Sequence, residues 1–180
     1  MRSVLQTQSI KDPLTGLYNR RFMEETLERE LARCKRSNTC VSLIMLDLDN
    51  FKALNDCYGH PAGDAVLRAA AGLLLQSIRA SDVVCRFGGE ELLIILPDCP
   101  LEGALARAEA IRASLEVMSL VDVGQSLSVT ASFGVASTAL CGTDQAVLLK
   151  AADSALYKAK RAGKNRVESW LAASVSLQLV

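Results

Sequence analysis

The residues best suited to do chemistry lie at the end of an apolar run, Leu46-Asp47-Leu48-Asp49-Asn50-Phe51-Lys52. In an extended strand the side chains alternate between faces, so Asp47 and Asp49 point the same way. Two carboxylates closing a buried strand cost free energy unless something neutralises them, and a hard divalent cation does so. Two plainer explanations compete: the acids mark the strand's exit into solvent, or Asp49-Asn50 shapes a turn. A second acidic segment, Gly88-Gly89-Glu90-Glu91, sets two carboxylates after two glycines, which permit positive φ and close backbone approach. If this tip lies beside the Asp47 strand, Asp47 and Glu90 converge on one point, with Asp49 or Glu91 as further members. Magnesium takes one or two carboxylates plus substrate phosphate oxygens, and paired metals drive in-line phosphoryl displacement. A plain hairpin turn explains the glycines but not the acids.

Two further segments supply what such a site needs. Asn55 to Asp64 reads as a loop of Asn, Gly, Pro and Asp, and Asn with Asp can match the donor and acceptor edge of guanine. The same two residues also suit a turn and a helix cap. Lys158, Lys160, Arg161 and Lys164 can meet phosphates as charged donors, or simply form a solvated helix end. His60, the single histidine, is flanked by Gly59 and Pro61 and is expected to order its loop, not to ligate a metal.

Composition restricts the partners. The chain has 180 residues with 20 Lys+Arg against 20 Asp+Glu, and a protein that grips nucleic acid or an anionic membrane by bulk electrostatics normally carries net positive charge. With 50% apolar and 22% charged residues it is an ordinary globular chain, and its length fits one domain of roughly 100–200 residues. The aromatic share is 4%, too low for a base-stacking surface. Six cysteines without a C-x-x-C pair exclude the usual zinc spacings and read as reduced, mostly buried small hydrophobes. There is no signal-peptide pattern and no apolar run near the roughly 18 residues that cross a bilayer, so a cytoplasmic location is expected.

The elements that must position these residues follow from periodicity. Phe22, Met23, Leu27, Leu31 and Cys34 recur at helical steps, and Cys40–Asp47 is a buried strand. Gly63–Ile78 is a helix. Val83–Arg86 and Glu91–Leu96 form a hairpin around Phe87 to Glu90. Leu101–Met118 returns to helical spacing, Val129, Ala131, Phe133 and Val135 alternate as a strand, and Gln145–Arg161 is a helix ended by Gly163. Arg166–Trp170 is a closing strand. Residues 1–11 read as the end of an upstream linker helix with no room for an input domain, 12–170 as one domain, and 171–180 as a tail. The order predicts an α+β sandwich, one sheet with helices packed on it.

Together these segments resemble the GGDEF-domain diguanylate cyclases, which condense two GTP molecules into cyclic di-GMP. The likeness runs from Asp12 to about Val167. It includes Asp12-Pro13-Leu14-Thr15-Gly16-Leu17-Tyr18-Asn19-Arg20-Arg21, the Asp47-Leu48-Asp49 strand, the Asn55–Asp64 loop and the signature Gly88-Gly89-Glu90-Glu91-Leu92. Ala155-Leu156-Tyr157-Lys158-Ala159-Lys160 with Gly163-Lys164-Asn165 completes it. Any one of these motifs alone would be weak.

The resemblance implies a ferredoxin-like, palm- and nucleotidyl-cyclase-like α+β fold with an antiparallel-rich central sheet flanked by helices. It implies Asp47, the Leu48 carbonyl and Glu90 as metal ligands for two Mg²⁺ or Mn²⁺ ions per site, with Glu90 also the catalytic base. Glu91 and Lys52 would share in catalysis, Lys52 by stabilising charge on the phosphates. Asn55 and Asp64 would read guanine, Lys160 and Lys164 would meet the terminal phosphates, and Phe51, Gly88 and Gly89 would complete the GTP site. Lys164 stands where many relatives carry arginine, which keeps the charge but loses the bidentate fork. Glu90 for Asp keeps the carboxylate, and Leu92 for Phe changes packing. Each domain would hold one GTP, so catalysis needs a homodimer. Arg79-Ala80-Ser81-Asp82 matches the R-x-x-D site at which the product inhibits, although a helix-end cation and a loop acid explain it as well. The partners implied are GTP and cyclic di-GMP, with no DNA or RNA and no membrane contact by this chain, which could be the cytosolic output domain of a larger sensor. The competing function is a sensor module that binds GTP or cyclic di-GMP without turnover, against which the intact Asp47, Lys52, Glu90 and Glu91 argue.

Overall fold

The computed structural model describes residues 9–122 and 124–171. Most of the expected upstream segment and tail lie outside the described residues. In chain order the elements are α1 (Arg20–Ser37), β1 (Val41–Leu48), α2 (Phe51–Tyr58), α3 (His60–Gln76), β2 (Val83–Arg86) and β3 (Glu91–Pro97). They continue with α4 (Leu101–Glu116), β4 (Ser119–Asp122), β5 (Gln125–Ser128), β6 (Ala131–Ser137), α5 (Thr138–Cys141), α6 (Gln145–Arg161) and β7 (Val167–Ser169).

Five strands form one sheet in the order β2-β3-β1-β6-β7. The first four pair antiparallel, and β7 adds to β6 in parallel. The helical crossovers β1 to β2 and β3 to β6 make the split βαβ arrangement of ferredoxin-like folds, which is the expected class. Every residue of β1 is buried, because β1 has a strand on each side and helices on both faces. Ile44, Leu46 and Leu48 face α3 and α4, packing with Val66, Leu67, Leu74, Ile111 and Leu115. Leu43 and Met45 face α1 and α6, packing with Met23, Leu27, Leu148 and Leu156. Each such side chain contributes about 2 kcal/mol on burial. A one-residue slip would swap the two sets between faces, so the core itself enforces the register that sets Asp47 on the α6 face.

Helix ends follow their caps. Asn19 accepts from Phe22 N at 3.0 Å at the start of α1, and Asp144 accepts from Val147 N at 2.9 Å at the start of α6. Asn38, left-handed at φ 50°, ends α1. Three features differ from the sequence expectation. Residues 55–64 are not a loop: Asn55 lies within α2, the helices meet at Gly59, and α3 begins at His60. A second, two-stranded sheet of β4 and β5 interrupts the stretch before β6; its strands are four residues each, too short for periodicity to mark them. Of the six thiols, all free, Cys34, Cys85 and Cys99 are buried, Cys40 and Cys141 are half-buried and Cys57 is exposed, fewer buried than expected. No helix among the described residues is long and apolar enough to cross a membrane.

Candidate active site

The two acidic segments meet because β1 ends between β3 and β6, with Asp47 opposite Glu91 on one side and Ser132 on the other. The Leu48 N–H donates to the Glu90 carbonyl at 3.2 Å, tying β1 to the hairpin tip at the residues expected to hold metal. Lys160 Nζ reaches across from α6 to Asp47 Oδ2 at 2.8 Å. Burial raises the Asp47 carboxyl, Lys160 opposes the shift, Glu90 and Asp49 add to it, and the net direction is upward. Glu91 is raised too, by burial first and then by the negative charge of Asp47. The site therefore carries more negative charge than one ammonium relieves.

That donor chemistry fits a hard cation. The ligands on offer are carboxylates and a main-chain carbonyl, and the Lys160 ammonium already stands on Asp47 as a cation does. Among the described residues no three His, Cys, Asp or Glu side chains are arranged to cage a metal unaided; magnesium completed by substrate phosphates needs no such cage.

Lys160 gets there because Gly134 lets α6 lie directly on β6. A Cβ at Gly134 would come 2.2 Å from both Ala152 O and Leu156 N, closer than any real contact. The signature tip is held from below. Arg86 donates to the carbonyls of Gly88 and Gly89, at 3.3 Å from Nε to the first and 2.8 Å from Nη2 to the second, while its Nη1 pairs with Asp12 at 3.2 Å. Asp12 also accepts from Thr15 N and Oγ1. Burial raises the Asp12 carboxyl, but Thr15 and Arg86 outweigh it and hold the group below the ordinary range. Neither Gly88 nor Gly89 is in the left-handed region, so positive φ is not why they are glycines. A Cβ at Gly88 would meet Glu91 Oε2 at 3.0 Å, and Gly89 faces open space.

On α2, Asn55 Oδ1 is buried without a hydrogen-bond partner and lies against Gly63, where a Cβ would come within 1.8 Å of it. Asp64 sits inside α3, past the first turn, and so is not the helix cap. Lys52 is exposed and Phe51 half-buried. Lys164, left-handed at φ 62°, places Nζ 2.6 Å from Asn50 Oδ1, at the mouth of β1. Asp49 is buried, and its oxygens accept from Thr130 Oγ1, Ser132 Oγ and Asn165 N.

Arg79 and Asp82 lie at the other end of β2 from the tip. Arg79 is exposed. The buried Asp82 accepts from the Arg79 N–H at 2.7 Å and pairs with Arg107 of α4, whose Nη1 has no partner. The structure thus gathers Asp47, Leu48, Glu90, Glu91 and Lys160, sets Lys164 beside Asn50, and leaves the Arg79–Asp82 turn apart. Arg86, Gly134 and Arg107 were not singled out from the sequence. Only Asp12 had a signal there, as part of the opening motif.

Residues 9–166 match the family model described as "Diguanylate cyclase, GGDEF domain". The chain is 43% identical over 162 residues to the diguanylate cyclase DgcP of Pseudomonas aeruginosa, covering 89% of this chain and 24% of that protein. It is 42% identical over 161 residues to the response regulator PleD of Caulobacter vibrioides, covering 88% and 36%. It thus spans between a quarter and a little over a third of the length of these curated relatives. Among solved structures, the GGDEF domain of DgcB from Caulobacter crescentus in complex with c-di-GMP matches at TM-score 0.87 and 30% identity, over 96% of this chain and 99% of that one. Diguanylate cyclase SiaD of Pseudomonas aeruginosa, in complex with its activator SiaC, matches at TM-score 0.85 and 40% identity, over 89% and 62%. A palm-like sheet with paired acidic segments at its centre, matched over nearly its whole length, places this chain in the GGDEF domain family.

Proposed function

We propose that the chain is a diguanylate cyclase domain that condenses two GTP into cyclic di-GMP. The observation that carries this is the register that sets Asp47 of β1 against the Glu90-Glu91 tip, with Lys160 on Asp47 and open space above Gly89. Asp47, the Leu48 carbonyl and Glu90 would hold Mg²⁺ or Mn²⁺, two ions per site. When bound, the metal supplies charge stabilisation for phosphoryl transfer. Glu90 takes the proton from a ribose 3′-hydroxyl, whose oxygen bonds to the α-phosphorus of the second GTP as the bond to pyrophosphate breaks. The same step repeated closes the ring. Glu91 and Lys52 assist, Lys52 by offsetting charge on the phosphates, and Lys160 and Lys164 bind the terminal phosphates. Asn55, with its unpartnered buried oxygen, and Asp64 read the guanine edge, while Phe51, Gly88 and Gly89 line the site.

Each domain offers one such half-site, so the reaction runs between two facing copies, which supplies proximity worth several kcal/mol, about 7–11 in the most favourable cases. The exposed Arg79 guanidinium beside the Asp82 turn is the point at which cyclic di-GMP binds back and inhibits. Free thiols and the enzyme's GTP substrate suit a cytoplasmic location. The test is incubation of the purified chain with GTP and Mg²⁺ at high protein concentration. Pyrophosphate and cyclic di-GMP are expected, and Glu90→Gln should abolish both while retaining GTP binding. GTP binding without either product from the unaltered chain would make it a sensor module instead.

A further inference from the structure

Asp49 lies two residues after Asp47 on the same face of the strand end, where spacing alone makes it a further metal ligand. Its surroundings give it other work. The side chain is buried, with the residue 7% exposed. Oδ1 accepts from Ser132 Oγ at 2.6 Å, and Oδ2 accepts from Thr130 Oγ1 at 2.7 Å and from the Asn165 N–H at 3.0 Å. An ionised carboxylate is acceptor-only with about four lone-pair sites, and three of them are taken by donors of the fold.

The third donor matters most. Asn165 belongs to a turn in which Gly163, Lys164 and Asn165 all have positive φ, at 119°, 62° and 44°. A lysine in the left-handed region is strained and persists only where its surroundings over-determine it. Here they do. Lys164 N donates to Ala159 O at 3.1 Å, Arg112 Nη1 donates to Asn165 Oδ1 at 2.8 Å, and Asn165 Nδ2 donates to Glu116 Oε1 at 2.9 Å. Asp49 is the anchor that joins this turn to the end of β1, and Lys164 Nζ then lands 2.6 Å from Asn50 Oδ1, on the residue that follows Asp49.

We propose that Asp49 is a positioning residue and not a metal ligand: its carboxylate holds the 163–165 turn so that Lys164 reaches the terminal phosphates of the nucleotide. This role presupposes that the chain binds GTP as a cyclase. The test compares GTP with GMP, which shares the guanine but lacks the terminal phosphates, by calorimetry in Mg²⁺, and follows Mn²⁺ binding by electron paramagnetic resonance. Asp49→Asn and Lys164→Ala are each expected to weaken GTP about tenfold and to leave GMP unchanged. The double variant should lose no more than either alone, because coupled residues are not additive. Mn²⁺ binding should survive in Asp49→Asn and disappear in Asp47→Asn.

The proposal is overturned if Asp49→Asn loses Mn²⁺ as Asp47→Asn does, if its GTP loss adds to that of Lys164→Ala, or if GTP and GMP weaken together. Should Asp49→Asn fail to fold, Ser132→Ala removes one donor and keeps the carboxylate. It should weaken GTP alone by a smaller factor, and not at all in the Lys164→Ala background; an unchanged GTP affinity overturns the proposal. An unaltered chain that binds GTP no better than GMP takes down the cyclase reading together with this one, whereas a GTP preference that survives every Asp49 and Ser132 variant removes only the role of Asp49.

Discussion

Asp47 sits where its own charge is unfavourable. Burial raises its carboxyl, Lys160 offsets part of that, and Glu90 and Asp49 push in the same direction as burial. An acid whose folded pKa lies above its unfolded value binds more protons in the native state, so stability falls as pH rises from the unfolded pKa through the folded one. Above that window the ionised group is a net cost, which a cation bound there as proposed would remove, a trade of stability for function. In metal-free protein at pH 7, Asp47→Asn is therefore expected to raise Tm, and to abolish the further rise that Mg²⁺ together with GTP is expected to give the unaltered chain. Thermal melts with and without Mg²⁺ and GTP check both, and a lower metal-free Tm for Asp47→Asn counts against the account. Asp12 behaves oppositely. Its depressed carboxyl contributes stability that is present above the unfolded pKa of about 3.9 and lost as pH falls below it, so the Arg86 grip on the signature tip should loosen only in acid. Cys85, which burial pushes up to about 12, is a small hydrophobe in practice.

At the scale of elements, the decisive contact is α6 on β6. The alanines Ala151, Ala152, Ala155 and Ala159 line the buried face of α6, and Gly134 removes the last obstacle to close approach. Gly134→Ala sets a methyl 2.2 Å from helix backbone atoms that cannot rotate away. The helix must lift, at a cost of about 1–3 kcal/mol, and Tm should fall by roughly 2–4 °C per kcal/mol for a domain of this size. Lifting α6 also carries Lys160 away from Asp47, so GTP binding should weaken alongside stability. An unchanged melting curve for Gly134→Ala would count against this close seating of α6 on β6. Arg86 does the equivalent for the hairpin: one guanidinium spans Asp12 and the carbonyls of Gly88 and Gly89, so the opening motif of the chain acts as a brace for the tip, some 75 residues downstream.

For the whole molecule, the zero net charge is a sum of sorted parts. Between residues 47 and 98 there are eight acids and four bases, and between 150 and 168 six bases and two acids. Folding superposes the basic end of α6 on the acidic end of β1, as the Lys160–Asp47 pair records. The result is a local meeting of opposite charges, the feature on which the proposed metal-bound polyphosphate site rests, on a molecule whose zero net charge gives no bulk attraction to nucleic acid. If, as proposed, one domain holds half of a two-nucleotide reaction, cyclase activity per mole of chain should rise with protein concentration and then saturate as dimers fill. Pyrophosphate release measured across a dilution series checks this, and activity strictly proportional to concentration at all dilutions would argue against assembly as the limiting step.

The amino-acid sequence by itself determined the class of fold, both strands of the signature hairpin, the extent of α6 and the identity of the acids, because these depend on local period and residue type. It left α2 hidden, since eight residues are too few for a helical period to stand out beside the Asn-Asp and Gly-Pro signals that follow, and it left β4 and β5 hidden because each is only four residues long. The meeting of Asp47 with Glu90 and Glu91 was only conditional in the sequence. Strand order settles it, and strand order is set by packing between segments far apart in the chain. The division of labour between Asp47 and Asp49 was beyond the sequence altogether. Both are carboxylates on one face, and only the tertiary structure decides that Lys160 stands over the first while Thr130, Ser132 and Asn165 surround the second.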